Sequence, residues 1–260
     1  MREDRRRQFG LVLLVLLLSG LAAIAVVSAL RWELGRLGST VAYRLIGLDN
    51  APVVVQEAAR QLKHSRVAYA VPVGSATYLI ISAGDAGSGL ELKAVRAGQP
   101  AGRLDVELGT RAKGERLILA TIPTRPDDMA AVHFRLDGRE GRLPALLNPD
   151  RVPLVGLPSE GGLVVQSLQP EATVTGGVVE VAGFARTGSG QISIQVFGDG
   201  VQVPLGELLR LKAATTAPNW GSFRAAVPVD VRHTVSHGVV LVYDPDSGTK
   251  AVIPVRFGHK

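Results

Sequence analysis

Gly190-Gln191-Ile192-Ser193-Ile194-Gln195-Val196-Phe197-Gly198-Asp199-Gly200 alternates apolar and polar side chains between two glycine-bearing turns. Side chains on a strand point to opposite faces in turn, so Ile192, Ile194 and Val196 share one side, with Gln191, Ser193 and Gln195 on the other. That is the pattern of a sheet with one covered face and one wet face. Working outward, the same period returns at Leu163 to Leu168, Val178 to Phe184, Phe223 to Val229, Val239 to Tyr243 and Ala251 to Phe257. Short strands broken by turns such as Gly198-Asp199-Gly200 and Asp246-Ser247-Gly248 predict a β-sandwich over residues 162–260.

Upstream, Pro144, Pro149, Pro153 and Pro158 crowd the stretch 138–161. Each proline fixes φ and lacks an amide donor, which predicts a linker between two domains. Before it, strand signals run at Ala68 to Val73, Tyr78 to Ser82, Leu90 to Ala97, Leu104 to Leu108, Leu117 to Ile122 and Ala131 to Leu136. A helix precedes them: Asn50 is the expected cap, Pro52 lies in the first turn, and Val54, Ala58 and Leu62, with Val55 and Ala59, form an apolar stripe to about His64. Residues 50–137 therefore read as a small α+β domain, one helix on a mostly antiparallel sheet. The fold class expected is mainly β.

Phe9 to Leu30 carries no charge, and at about 1.5 Å per residue it gives roughly 30 Å of helix, enough to cross a bilayer. The expected order is a basic cytoplasmic tail at 1–8, a transmembrane helix at 9–31 and a stalk at 32–49. Val27-Ser28-Ala29 also resembles the small-residue cleavage site of a secretory signal peptide, but the apolar run exceeds a signal's core of about 7 to 15 residues. Arg5, Arg6 and Arg7 at one end, against the more scattered Arg31, Arg36 and Arg44 with Trp32 at the other, place the N-terminus inside and the bulk outside the cytoplasmic membrane. The lack of cysteine suits an exported chain.

The net charge of +6 is spread beyond the N-terminal cluster, and aromatics make up only 5% of residues, which argues against a nucleic-acid platform. The charge suits a neighbourhood of anionic lipid or wall polymer, or simply solubility. His233 and His237 have metal-like spacing, but on an extended chain they stand about 13 Å apart, too far for one zinc. Asp244, Asp246 and Gly248 lack a full calcium loop and read as a hairpin turn. Asp127 and Asp128 are adjacent in sequence, whereas paired acids of a sugar hydrolase face each other across a cleft. Gly87-Ser88-Gly89 and Gly188-Ser189-Gly190 match neither a nucleophile elbow nor a phosphate loop. No catalytic residue, metal or cofactor is expected, no small-molecule substrate is evident, and the chain reads as a non-enzyme. Trp220, Phe223 and Tyr243 are the candidate partner-binding residues, because aromatics dominate interface hot spots; plugging a sandwich core is the competing role.

Several segments carry a resemblance. Gly177-Val178-Val179-Glu180-Val181-Ala182-Gly183-Phe184-Ala185, Trp220-Gly221-Ser222-Phe223, Val240-Leu241-Val242-Tyr243-Asp244 and Val252-Ile253-Pro254-Val255 resemble the immunoglobulin-like domain of bacterial spore germination proteins, over roughly residues 162–258. In the first domain, Tyr78-Leu79-Ile80-Ile81-Ser82-Ala83-Gly84, Gly87 to Val95 and Thr124-Arg125-Pro126 are similar to the protease-complex accessory subunit family. The resemblances imply an envelope protein of adhesion or scaffolding, linked to sporulation or spore germination, with an unidentified envelope protein or wall polymer as partner. The alternative they imply is an accessory or regulatory subunit of an extracellular protease complex.

Overall fold

The alternation read in the sequence is realised as strands in the structure, a computed structural model that describes residues 39–85, 87–98, 103–123, 131–156, 161–199, 202–231 and 235–258. The expected basic tail at 1–8, the membrane helix at 9–31, the first part of the stalk (32–38), Asp127, Asp128 and His233 lie outside the described residues. The rest of the expected stalk is no stalk, because Arg44–Leu45 pairs with Leu117–Ile122 and the Val41 and Ile46 amides donate to the Val95 and Leu119 carbonyls. Among those described, no helix is long and apolar enough to cross a membrane. The chain divides into two units, Met1–Thr40 and Val41–Lys260, and the helix and strands of the fold belong to the second.

In chain order the elements are β1 (Arg44–Leu45), the helix α1 (Val53–Leu62), β2 (Arg66–Val73), β3 (Ala76–Ala83), β4 (Gly89–Ala97), β5 (Arg103–Arg111) and β6 (Leu117–Ile122). They continue as β7 (Ala131–Leu136), β8 (Arg139–Glu140), β9 (Ala145–Leu147), β10 (Leu163–Val165), β11 (Ala172–Val174) and β12 (Val178–Ala185). The last six are β13 (Gln191–Gly198), β14 (Val203–Pro204), β15 (Leu209–Lys212), β16 (Trp220–Pro228), β17 (His237–Tyr243) and β18 (Lys250–Phe257). Three sheets result: an eight-stranded one in the order β1-β6-β3-β2-β9-β16-β12-β10, a six-stranded one built on β11-β18-β17-β13 with β14 and β15 along its far edge, and a four-stranded one, β4-β5-β7-β8. The fold is mainly β and fits a β-sandwich.

Register shows how the layers stack. In the eight-stranded sheet Ile80, Tyr69, Leu146 and Trp220 are successive cross-strand neighbours, so they share a face. All four belong to one core with Val55, Ala59 and Leu62 of α1. The residues between them point the other way. There Ala68, Ala70 and Leu147 meet Val106 and Phe134 of the four-stranded sheet, whereas Val181, Phe223 and Val227 meet Ile194, Val240 and Val255 of the six-stranded sheet. One long sheet thus carries the helix on one face and two smaller sheets on the other, each enclosing its own core.

This corrects the reading of 138–161 as a linker. Ala145, Leu146 and Leu147 are each 1% exposed and pair in parallel with β2 on one side and β16 on the other. A strand buried on both faces is apolar throughout and does not alternate, and flanking prolines hold this one to three residues, so it passes for a connector. The segment expected to separate the two halves is the strand that joins them.

The helix buries the expected stripe except for Val54, and its cap differs. Val55, Ala58, Ala59 and Leu62 are buried, at i, i+3, i+4 and i+7, while Val54 is 48% exposed. Asn50 is not its cap; it closes a short 3-10 turn, and Pro52 occupies the N-cap position with its carbonyl accepting from the amides of Val55 and Gln56. Burying Val55 and Leu62 stabilises the packing by on the order of 2 kcal/mol each.

Candidate functional site

Strand β9 accompanies β2 only through Ala70, after which the Asn148 amide donates to the Ala70 carbonyl and the chain turns away at Pro149-Asp150-Arg151. Arg151 adopts a φ of 53°, and the Asp150 carboxylate accepts the Ser222 hydroxyl at 2.8 Å, fixing the turn to β16. Val71, Pro72 and Val73 thereby lose their neighbour on that flank. Pro72 suits the position, because proline lacks the donor that a paired strand would need.

Beyond the turn, Val152 to Gly156 runs back beside α1 without a strand partner, and side-chain amides take a strand's place. Asn148 donates through Nδ2 to the Val152 carbonyl and accepts the Val152 amide through Oδ1, both at 2.8 Å. Gln166 does the same for Val155, accepting its amide at 3.2 Å and donating to its carbonyl at 3.3 Å. Asn148 Nδ2 also donates to the Tyr69 hydroxyl at 2.9 Å. Burial pushes that phenol up to about 12, against a smaller opposing pull from the Asn148 bond.

Between α1, the open flank of β2 and this clamped segment lies a groove of about 510 Å³. Val54, Val71, Val152 and Leu154 line it, with Glu57 and Arg151 supplying one charge of each sign. Its rim keeps large apolar side chains in water: Val54 at 48% and Val155 at 67% exposure, with Val53 beside them at 69%. The groove offers apolar contact, a free strand flank and few charges.

The aromatic candidates separate. Trp220 and Phe223 are an odd number of positions apart on β16 and so point to opposite faces; both are buried, at 6% and 1%. Trp220 sits in the helix-side core with the Arg186 guanidinium 5.2 Å above its ring, and Phe223 fills the sandwich core. Neither can anchor a partner; they plug cores, the competing role. Tyr243 stands half-buried on the outer face of the six-stranded sheet. Asp244 lies in the hairpin turn before β18, its carboxylate taking the Asp246 amide and the Ser247 hydroxyl. Among the described residues no group of three or more His, Asp or Glu could hold a metal ion.

Periodicity alone misses the groove, because it puts Val54 on the buried stripe and Val152 to Val155 in a linker. One signal points to it. Val152-Pro153-Leu154-Val155 is an apolar run too long for a solvated connector.

No family model matches this chain, and no curated protein or solved structure matches it.

Proposed function

We propose that the chain is a membrane-anchored extracytoplasmic binding and scaffold protein of the bacterial envelope, serving sporulation or spore germination. The supporting observation is the groove beside α1, whose rim leaves Val53, Val54 and Val155 in water. Contiguous exposed apolar surface with polar groups around it marks interaction sites. The occupant is an extended segment of a partner envelope protein, lying along the flank that β2 leaves open and packing its apolar side chains on Val54 and Leu154.

The C-terminal sandwich, with β10, β12 and β16 facing the six-stranded sheet, is in keeping with an immunoglobulin-like module of the germination type. Such modules imply holding and not chemistry. The apolar segment at 9–31 supplies the anchor.

A photo-crosslinking residue at position 54 of the full-length chain, in sporulating cells, tests this reading. One discrete partner should be captured, and substitution of Val155 by Lys should abolish its capture. A deletion strain with normal spore assembly and germination would overturn the assignment.

A further inference from the structure

The outer face of the six-stranded sheet departs from the wet face that β13 alone predicts. Register aligns Phe197, Val239 and Pro254 in one cross-strand row, and Gln195, Leu241 and Val252 in the next. A third row runs Arg210, Ser193, Tyr243 and Lys250. Phe197, Val239, Leu241, Tyr243, Val252 and Pro254 belong to none of the three cores, and Val252 is 51% exposed. The face is apolar in the middle, with Tyr243 at the edge of the apolar zone.

Its charge is one-sided. On the outward positions of β13, β15, β17 and β18 the ionic residues are Arg210, Lys212, Lys250 and Arg256, beside the exposed His237, and no acid appears among them. Arg256 is held by Glu171 at 2.9 Å; Arg210, Lys212 and Lys250 make no ion pair with a described residue. Of the nearby acids, Asp246 is held anionic by hydrogen bonds from Ser189 in the turn before β18, Glu207 precedes β15 and Asp199 lies at the opposite end; none of the three stands on the strands' outward rows. The four-stranded sheet is the contrast. Its outer face interleaves both signs, as in Arg103 with Asp105 at 2.9 Å and Arg135 with Glu140 at 3.2 Å, and neutralises itself.

From this geometry we infer that the outer face of the six-stranded sheet docks on an anionic lipid surface, with Arg210, Lys212 and Lys250 among the headgroups and Tyr243, Leu241 and Val252 at the acyl boundary. Charge complementarity favours that occupant. The ionic residues on the outward rows of the strands are all cationic and gather around an amphipathic aromatic, the arrangement by which surfaces hold to anionic bilayers. The inference takes its setting from the membrane-anchored reading, which makes even weak docking effective through high local concentration.

Residues 41–260 bury three cores among themselves, so this portion can be tested without the anchor. Its co-sedimentation with vesicles of mixed phosphatidylglycerol and phosphatidylcholine is compared with that on phosphatidylcholine alone. Binding should need phosphatidylglycerol, weaken with salt, and fall by about a hundredfold in R210Q/K212Q/K250Q, taking roughly a factor of five per cation removed. Val252→Glu should weaken it with the charges intact, and both variants should melt like the parent. Equal binding to both vesicle types, or to neither, overturns the inference. So does self-association of 41–260 that Val252→Glu abolishes, since the face would then meet a second copy. Fractionation of the full-length chain is read separately: membrane association despite failed vesicle binding leaves the anchor standing, and a soluble full-length chain removes the anchor whatever the vesicles show.

Discussion

The Asn148 side chain donates to the Tyr69 hydroxyl at 2.9 Å across a sequence separation of 79 residues, while its two amide atoms also satisfy both backbone groups of Val152. One amide thus ties the central sheet to the groove wall. Asn148→Leu leaves three buried polar groups without partners and should cost about 3 kcal/mol, seen as a lower urea midpoint with unchanged slope. Tyr69→Phe removes one acceptor only, and should cost about 1 kcal/mol.

Tyr69 also sets an alkaline limit. Its hydroxyl ionises near the ordinary value of 10.0 when unfolded but near 12 when folded, because burial disfavours the phenolate. Between those values the unfolded chain holds fewer protons, so stability falls as pH rises. The contribution is fully present below pH 10 and is lost as pH climbs to about 12, amounting to roughly 2 to 3 kcal/mol. Denaturant titrations across this range should show the loss in the parent, and Tyr69→Phe should lack this component.

Because β9 is shared, the two halves of residues 41–260 should unfold together. Calorimetry should give a single transition. Leu146→Ala, which opens a cavity in the helix-side core, should lower stability by about 2 to 5 kcal/mol and speed amide exchange in both β2 and β16. Faster exchange confined to one half would show that the sheet does not couple them.

Gly183 lets β10 lie close on β12. A Cβ there would run into the Val164 carbonyl and stand 3.0 Å from Cζ of Phe223. Gly183→Ala should therefore destabilise by about 1 to 3 kcal/mol, and near-ultraviolet circular dichroism should report altered aromatic packing.

Val54→Lys and Val155→Lys alter exposed side chains and should move stability by no more than about 0.5 kcal/mol. Val155→Lys should nonetheless abolish capture by a photo-crosslinking residue at position 54, and Val54→Lys capture by one at position 155. Capture that survives both would exclude the groove.

Long alternating strands are legible because Ile192, Ile194 and Val196 carry their own face assignment. Ala145-Leu146-Leu147 is not legible as β9. It has no alternation, and its role depends on β2 and β16, which come from distant parts of the chain. The groove is hidden because Val54 and Val55 are both apolar, and only the packed sheet decides which is buried. Val239 to Tyr243 holds an unused signal, since five successive apolar residues cannot present one wet face. Both groove and outer face are surfaces where apolar side chains stay in water, and periodicity read one strand at a time does not reveal them.

Pro254 accepts the Glu171 amide through its carbonyl but has no N–H to offer at the margin of β18, as Pro72 has none on the open flank of β2. A segment laid along the open flank of β2 therefore meets no donor at Pro72 and is gripped there by side-chain contact, so the match of side-chain shapes, and not a common backbone ladder, decides what it accepts.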